Sequence, residues 1–228
     1  MKNLLYKEFT LVVTPLIYAM LILFGVFALI PNYPSGVSFF YIMAIYPMLF
    51  MGTNKGTQTN DLYFSLTLPA KRKQIVLARL ITVITCQLTL TASTCIFTPI
   101  GTAITNSINA SSQGQVPPSI SLGVEGMMAT VGFSFVSFSA FNIVFFYLFY
   151  KDGKKFALPY ILGLIPFIIL TTVLIVVLPG ALPEYMTIFG KWNAGIQIGT
   201  LLGCLLVGGV INFFAYLLGT KSFEKADF

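Results

Sequence analysis

The chain has 228 residues, of which 57% are hydrophobic and only 9% charged, against roughly 25% charged in an ordinary soluble domain. So few charges cannot cover a folded surface in water, which excludes a soluble globular protein and points to an all-α integral membrane protein in one transmembrane domain, residues 1–228. The net charge of +6 is therefore read by position, not as a sign of nucleic-acid binding; the chain has no histidine, which removes the commonest general base and metal ligand.

Residues 1–10 open as an amphipathic helix lying in the membrane interface, with Leu4, Leu5 and Phe9 on its apolar face and Lys2, Lys7 and Glu8 at its polar edge. Residues 11–30 form the first span, too long for a signal-peptide core and without a small-residue cleavage site. A Pro- and Gly-bearing turn leads to the second span, 37–53, which is long enough if Lys55 snorkels. Between 56 and 79 the chain turns polar. Thr59 or Asn60 can cap a short helix, Asp61 suits its first turn, and Leu62, Tyr63, Phe64 and Leu66 give it an apolar side. Pro69 ends it, because the residue before a proline avoids helical angles. Two readings stand: a grip for a soluble partner, or an interfacial loop held down by aromatics and lysines.

Residues 74–100 form the third span, 101–122 a polar loop with no Lys or Arg, and 123–150 the Phe-rich fourth span. A charged turn at 151–155 precedes the fifth span, 156–178, which is expected to kink at Pro166. A second loop, 179–192, leads to the sixth span, 193–219, and a polar tail. Six spans put both termini on one side. Lys2, Lys7, Lys55, Lys71, Arg72, Lys73, Arg79, Lys151, Lys154, Lys155, Lys221 and Lys225 then share that side, with Lys191 alone opposite. The bias predicts cytoplasmic termini in a multi-pass plasma-membrane protein.

Chemistry of its own is missing. No phosphate-binding loop is present, since Gly190-Lys191 lacks both the upstream glycine and the following hydroxyl. Cys86, Cys95 and Cys204 sit in apolar runs as small hydrophobes. The third span carries many hydroxyls, expected to bond across helices or to wet a path. Gln87, Asn142 and Gln197 are the candidate path residues, because a buried amide demands several partners. Gly195, Gly199 and Gly203 recur every fourth residue, a small-residue face for packing within the chain or against a second copy.

The run from Leu68 through Pro69, Arg72, Ile75 and Val76 to Arg79 resembles a segment of small bacterial type-2 ABC exporter permeases, with Asp61 matching an acid upstream. Arg79 stands where many relatives carry lysine. The resemblance implies that the helix after Asn60 is a coupling helix between spans two and three, with Asp61, Leu62, Tyr63, Phe64, Leu66, Pro69 and Arg72 at the contact with a separate cytoplasmic ATPase. ATP and Mg would then bind that ATPase, leaving this chain without cofactors and without enzymatic activity of its own. It also implies a second permease copy, a small re-entrant structure near 180–195, and a cargo of amphipathic peptides such as phenol-soluble modulins or bacteriocins. A peptide-immunity or sensor protein and a secondary carrier are the readings from other classes.

Overall fold

The computed structural model describes residues 2–29, 34–51, 70–111, 127–152, 156–189 and 193–226. Every regular element among them is helical. The chain opens with α1 (Lys2–Lys7), which widens into a π turn at Glu8–Val12. It breaks at Thr14, whose extended backbone is the conformation that a following proline imposes, and restarts at Pro15 as α2 (Pro15–Val26). The break bends the axis by 66°. Next come α3 (Pro34–Phe40) and, through a π turn at Tyr41–Ile45, α4 (Tyr46–Met51). Two long helices follow, α5 (Arg72–Ser111) and α6 (Met128–Asp152). α7 (Ala157–Thr172) passes through a π turn, Val173–Val177, into α8 (Leu178–Ala181). α9 (Pro183–Phe189) and α10 (Ala194–Glu224) complete the described chain.

Four stretches are long and apolar enough to cross a membrane: Arg72–Ile104, Met128–Lys151, Ala157–Ala181 and Ala194–Glu224. The bent pair Leu4–Thr10 and Pro15–Leu29 makes a fifth if taken as one span, and Gly36–Phe50 is apolar but shorter. Among the described residues, length and composition therefore give four candidate spans, or five, where six are expected. The first expected span is broken by Pro15, and the described part of the second falls short of the ~20 residues a bilayer needs.

One expectation is corrected here. α5 does not end near residue 100 but runs to Ser111, because its polar side chains turn inward onto their own helix: Thr102 donates to the Thr98 carbonyl at 2.9 Å and Ser107 to Ala103 at 3.0 Å. α7 runs as one helix through Pro166, and a π turn follows at Val173–Val177.

α6 is the hub. It packs along its length on α10 and on another side against α7, while α5 touches α2, α6 and α10. Close approach of α6 and α10 rests on two glycines. A Cβ on Gly208 would come within 2.6 Å of the Phe135 ring, and one on Gly132 within 3.0 Å of Cys204. The apolar stretches of α5 and α6 are 61% and 67% buried, against 17% for those of α7 and α10. The last two therefore turn rows such as Ile161, Ile165, Leu202 and Leu206 outward, the surface a protein in lipid presents to acyl chains or to a second membrane subunit.

Candidate functional site: two arginine anchors and a buried amide network

The start of α5 is built to hold on to other helices. Lys71 stands just before it, and its N–H donates to the Gln74 side chain at 3.1 Å, half of a capping box that fixes where the helix begins. One residue on, Arg72 reaches the far end of the chain. Its Nη1 donates to the carbonyls of Phe223 and Ala226, both at 2.8 Å, with Glu224 at 3.3 Å, and its guanidinium lies 5.5 Å from the centre of the Phe223 ring. The last carbonyls of a helix have no partners within it and carry its negative dipole end, so a cation there is doubly suited.

Arg79, two turns along, repeats the device on α4. Its Nη1 donates to the Leu49 carbonyl at 3.1 Å and its guanidinium stands 5.2 Å from the centre of the Phe50 ring. It also pairs with Glu8, Nη1 to Oε2 at 2.9 Å. That contact is an ion pair more than an aligned hydrogen bond. Lys7 adds a second cation 3.8 Å from the other Glu8 oxygen. Glu8 is 2% exposed and Lys7 7%, which corrects the expectation that they form the wet edge of an interfacial helix. A partner some seventy positions away draws them in, and no local pattern announces it.

These anchors bracket the segment 52–69. α4 leads into it and α5 leaves it, and Arg79 ties the two together while binding α1. Asp61, Leu62, Tyr63, Phe64, Leu66 and Pro69 lie outside the described residues. Of the expected coupling residues only Arg72 is described, and it is engaged within the chain.

Toward the middle of the bundle α4 joins a second cluster. The Tyr46 hydroxyl donates to Asn142 Oδ1 at 3.3 Å. Asn142 and Gln87 exchange amide bonds, Nδ2 to Oε1 at 3.1 Å and Nε2 to Oδ1 at 3.3 Å. Asn142 also donates to Asn212 at 2.8 Å, and Asn212 donates to the Ser139 hydroxyl at 2.9 Å and to the Gly208 carbonyl at 3.0 Å. Helices α4, α5, α6 and α10 thus meet through side chains exposed by 2% or less. Aromatic rings enclose the cluster: Tyr46 sits edge-on to Phe141 at 4.6 Å and to Phe145 at 5.0 Å, and stacks on Phe50 at 5.2 Å. The same short helix α4 therefore touches the amide network through Tyr46 and Arg79 through Leu49 and Phe50.

Gln87 and Asn142 are brought together, but Gln197 is elsewhere. It accepts from the Ala129 N–H at 2.9 Å, filling an orphan donor in the first turn of α6, and donates to the Phe189 carbonyl at 3.0 Å. It fastens the starts of α6 and α10 to the end of α9. Most of the hydroxyls bond within their own helix, Thr82, Thr91, Thr94 and Ser137 each donating to a carbonyl four residues back, while Ser139 joins helices by accepting from Asn212. The glycine face of α10 meets little within the chain. A Cβ on Gly199 or Gly203 would meet nothing, and one on Gly195 only the Asn193 side chain. The close contact of α10 with α6 falls instead to Gly208 and Gly132.

Tyr46, Asn212 and Glu8 were not singled out from sequence as site residues. Asn212 carries a readable signal, an amide deep in an apolar run, which in a membrane must find a partner.

No curated protein and no solved structure matches the chain. A family model described as ABC-2 family transporter protein matches residues 3–224. With its apolar helices and nearly full-length coverage by that model, the chain belongs to the ABC-2 family of transporter proteins.

Proposed function

We propose that the chain is the permease subunit of an ATP-driven exporter in a bacterial plasma membrane, moving amphipathic or hydrophobic peptides outward with energy from a separate cytoplasmic ATPase. Family membership carries the permease part. The coupling part rests chiefly on one observation, that Arg79 joins α4 to α5 on either side of segment 52–69 and joins both to α1 through Glu8. A force delivered to that segment would be passed to a braced base instead of being lost in a slack loop.

On this reading Asp61 to Leu68 docks in the ATPase, with Leu62, Tyr63, Phe64 and Leu66 as anchors. The bent pair α1–α2 supplies the first of six spans, and Gly36–Phe50 belongs to the second. The fold-back at α9, where the Tyr185 hydroxyl donates to the Leu174 carbonyl at 2.9 Å, is the re-entrant element. The end bearing Arg72, Lys151, Lys221 and the termini faces the cytoplasm, by the bias of basic residues. The amide network of Gln87, Asn142 and Asn212 is the lock of the resting bundle, and a path opens where these amides part. A second permease copy completes the assembly, and ATP and Mg bind the ATPase.

Purification of the chain from its native membranes should bring an ATPase with it, and inverted vesicles should accumulate an amphipathic peptide only when ATP is supplied. Peptide binding with no ATPase and no response to ATP would contradict the proposal and describe a sensor or immunity protein.

A further inference from the structure

A groove of about 850 Å³ runs between α6 and α10 at the end of the bundle where Arg72 holds the chain terminus. That volume is in the range of sites that enclose a small molecule, roughly 300–1,000 Å³. Its apolar part is formed by Ile143, Val144, Tyr147 and Leu218. Three lysines also line it, Lys151, Lys221 and Lys225, and no acidic residue does among the described residues. Lys151 and Lys221 stand in the last turns of their helices and Lys225 caps α10. The helix dipoles favour such cations singly, but they do not explain three like charges gathered on one apolar groove. Among the described residues none of the three has a carboxylate partner. The wall is fixed, because the Ser222 hydroxyl donates to the Tyr147 carbonyl at 2.8 Å and ties α10 to α6.

We infer that this groove binds an anionic phospholipid, its phosphate among Lys151, Lys221 and Lys225 and an acyl chain along Ile143, Val144 and Leu218. Charge complementarity selects the anion. The hydrocarbon part selects a lipid over a soluble phosphate, because Leu218 is exposed and continues into the outward row of Phe214 and Leu217 on α10. A molecule with a charged head and an apolar tail matches both halves of the groove. The basic cluster lies where lysines gain most from anionic headgroups, at the edge of the apolar span.

The test uses the full-length chain in detergent, followed by native mass spectrometry with phosphatidylglycerol, with phosphatidylcholine of the same acyl chains, or with glycerol 3-phosphate. Phosphatidylglycerol should be retained at about tenfold or more lower concentration than phosphatidylcholine, since lysines near a headgroup attract the anionic lipid. The triple variant Lys151→Gln/Lys221→Gln/Lys225→Gln should lose that preference, while Lys71→Gln/Lys73→Gln, exposed lysines elsewhere at the same end, should keep it. Acetylation of the wild-type chain supplies a readout that needs no variant: phosphatidylglycerol should shield the three lysines and phosphatidylcholine should not. Equal retention of the two lipids would overturn the inference. So would equal shielding by glycerol 3-phosphate, which would make the ligand a soluble anion, and so would shielding already complete in phosphatidylcholine, which would mean that a second copy covers the groove.

Discussion

Arg79 holds a carboxylate, a helix carbonyl and an aromatic face at once, which an ammonium cannot do, because only the planar guanidinium offers several fixed donors and a face that stacks. This gives a physical reason for arginine at a position where the resembling permeases often carry lysine. A buried pair broken on one side strands a charge, at a cost of about 3–5 kcal/mol, whereas replacing both partners together is often close to neutral. Arg79→Met should therefore destabilise the detergent-solubilised chain strongly, and Glu8→Leu nearly as much. The double variant Glu8→Leu/Arg79→Met should recover a good part of the loss. Thermal melts of the four proteins give the coupling; strictly additive losses would show that the pair is incidental. Asn142 is comparably connected, but in amides. Its partners Tyr46, Gln87 and Asn212 come from three other helices, so sequence reasoning found two of its members by asking which buried amides need partners, and missed the tyrosine because its ring already explained its place in an apolar run.

Helix by helix, the later part of the chain was the more legible. α6, α7 and α10 begin within five residues of the expected positions 123, 156 and 193, because hydrophobic runs and their polar punctuation coincide there. Asn193 is such a punctuation: its side chain accepts from the N–H groups of Gly195 and Ile196 and caps α10. The earlier part was less legible for two reasons. Serines and threonines after residue 100 look like loop by composition, yet they satisfy themselves on helix carbonyls and leave α5 intact. Lys7 and Glu8 look like a wet edge, and only the long-range partner Arg79 buries them. The glycine pattern was legible only in part, since spacing shows which residues share a face and not what the face meets. Gly208→Leu should collide with Phe135 and Ser139, and overpacking of this kind costs about 1–3 kcal/mol or more. Gly199→Leu has open space around it and should leave the melting temperature of the solubilised monomer near that of the wild type. Equal losses at the two positions would contradict the assignment of Gly208 as the glycine on which α6 and α10 close.

In the whole molecule, the charged end and the buried network are connected through one short helix. α4 contributes Tyr46 to the amides and Leu49 and Phe50 to Arg79, and it leads directly into segment 52–69. Arg72 and Arg79 both sit on the first two turns of α5, where that segment ends, and between them they reach α1, α4 and the end of α10. On the proposed reading, the braced pair of helices around this polar, aromatic-bearing segment receives work from a separate ATPase. Docking of that segment into an ATPase is the central claim, and Phe64 is the residue that tests it. An aromatic anchor in a desolvated pocket commonly costs about 2 kcal/mol or more when truncated, roughly thirtyfold in affinity. The decisive measurement is a pull-down of the co-expressed ATPase by tagged wild type and Phe64→Ala in detergent, with membrane insertion of both chains checked alongside. Loss of most of the ATPase from Phe64→Ala at unchanged insertion is the result expected; full retention of the ATPase by that variant would contradict the account and leave the aromatics of this segment as lipid anchors.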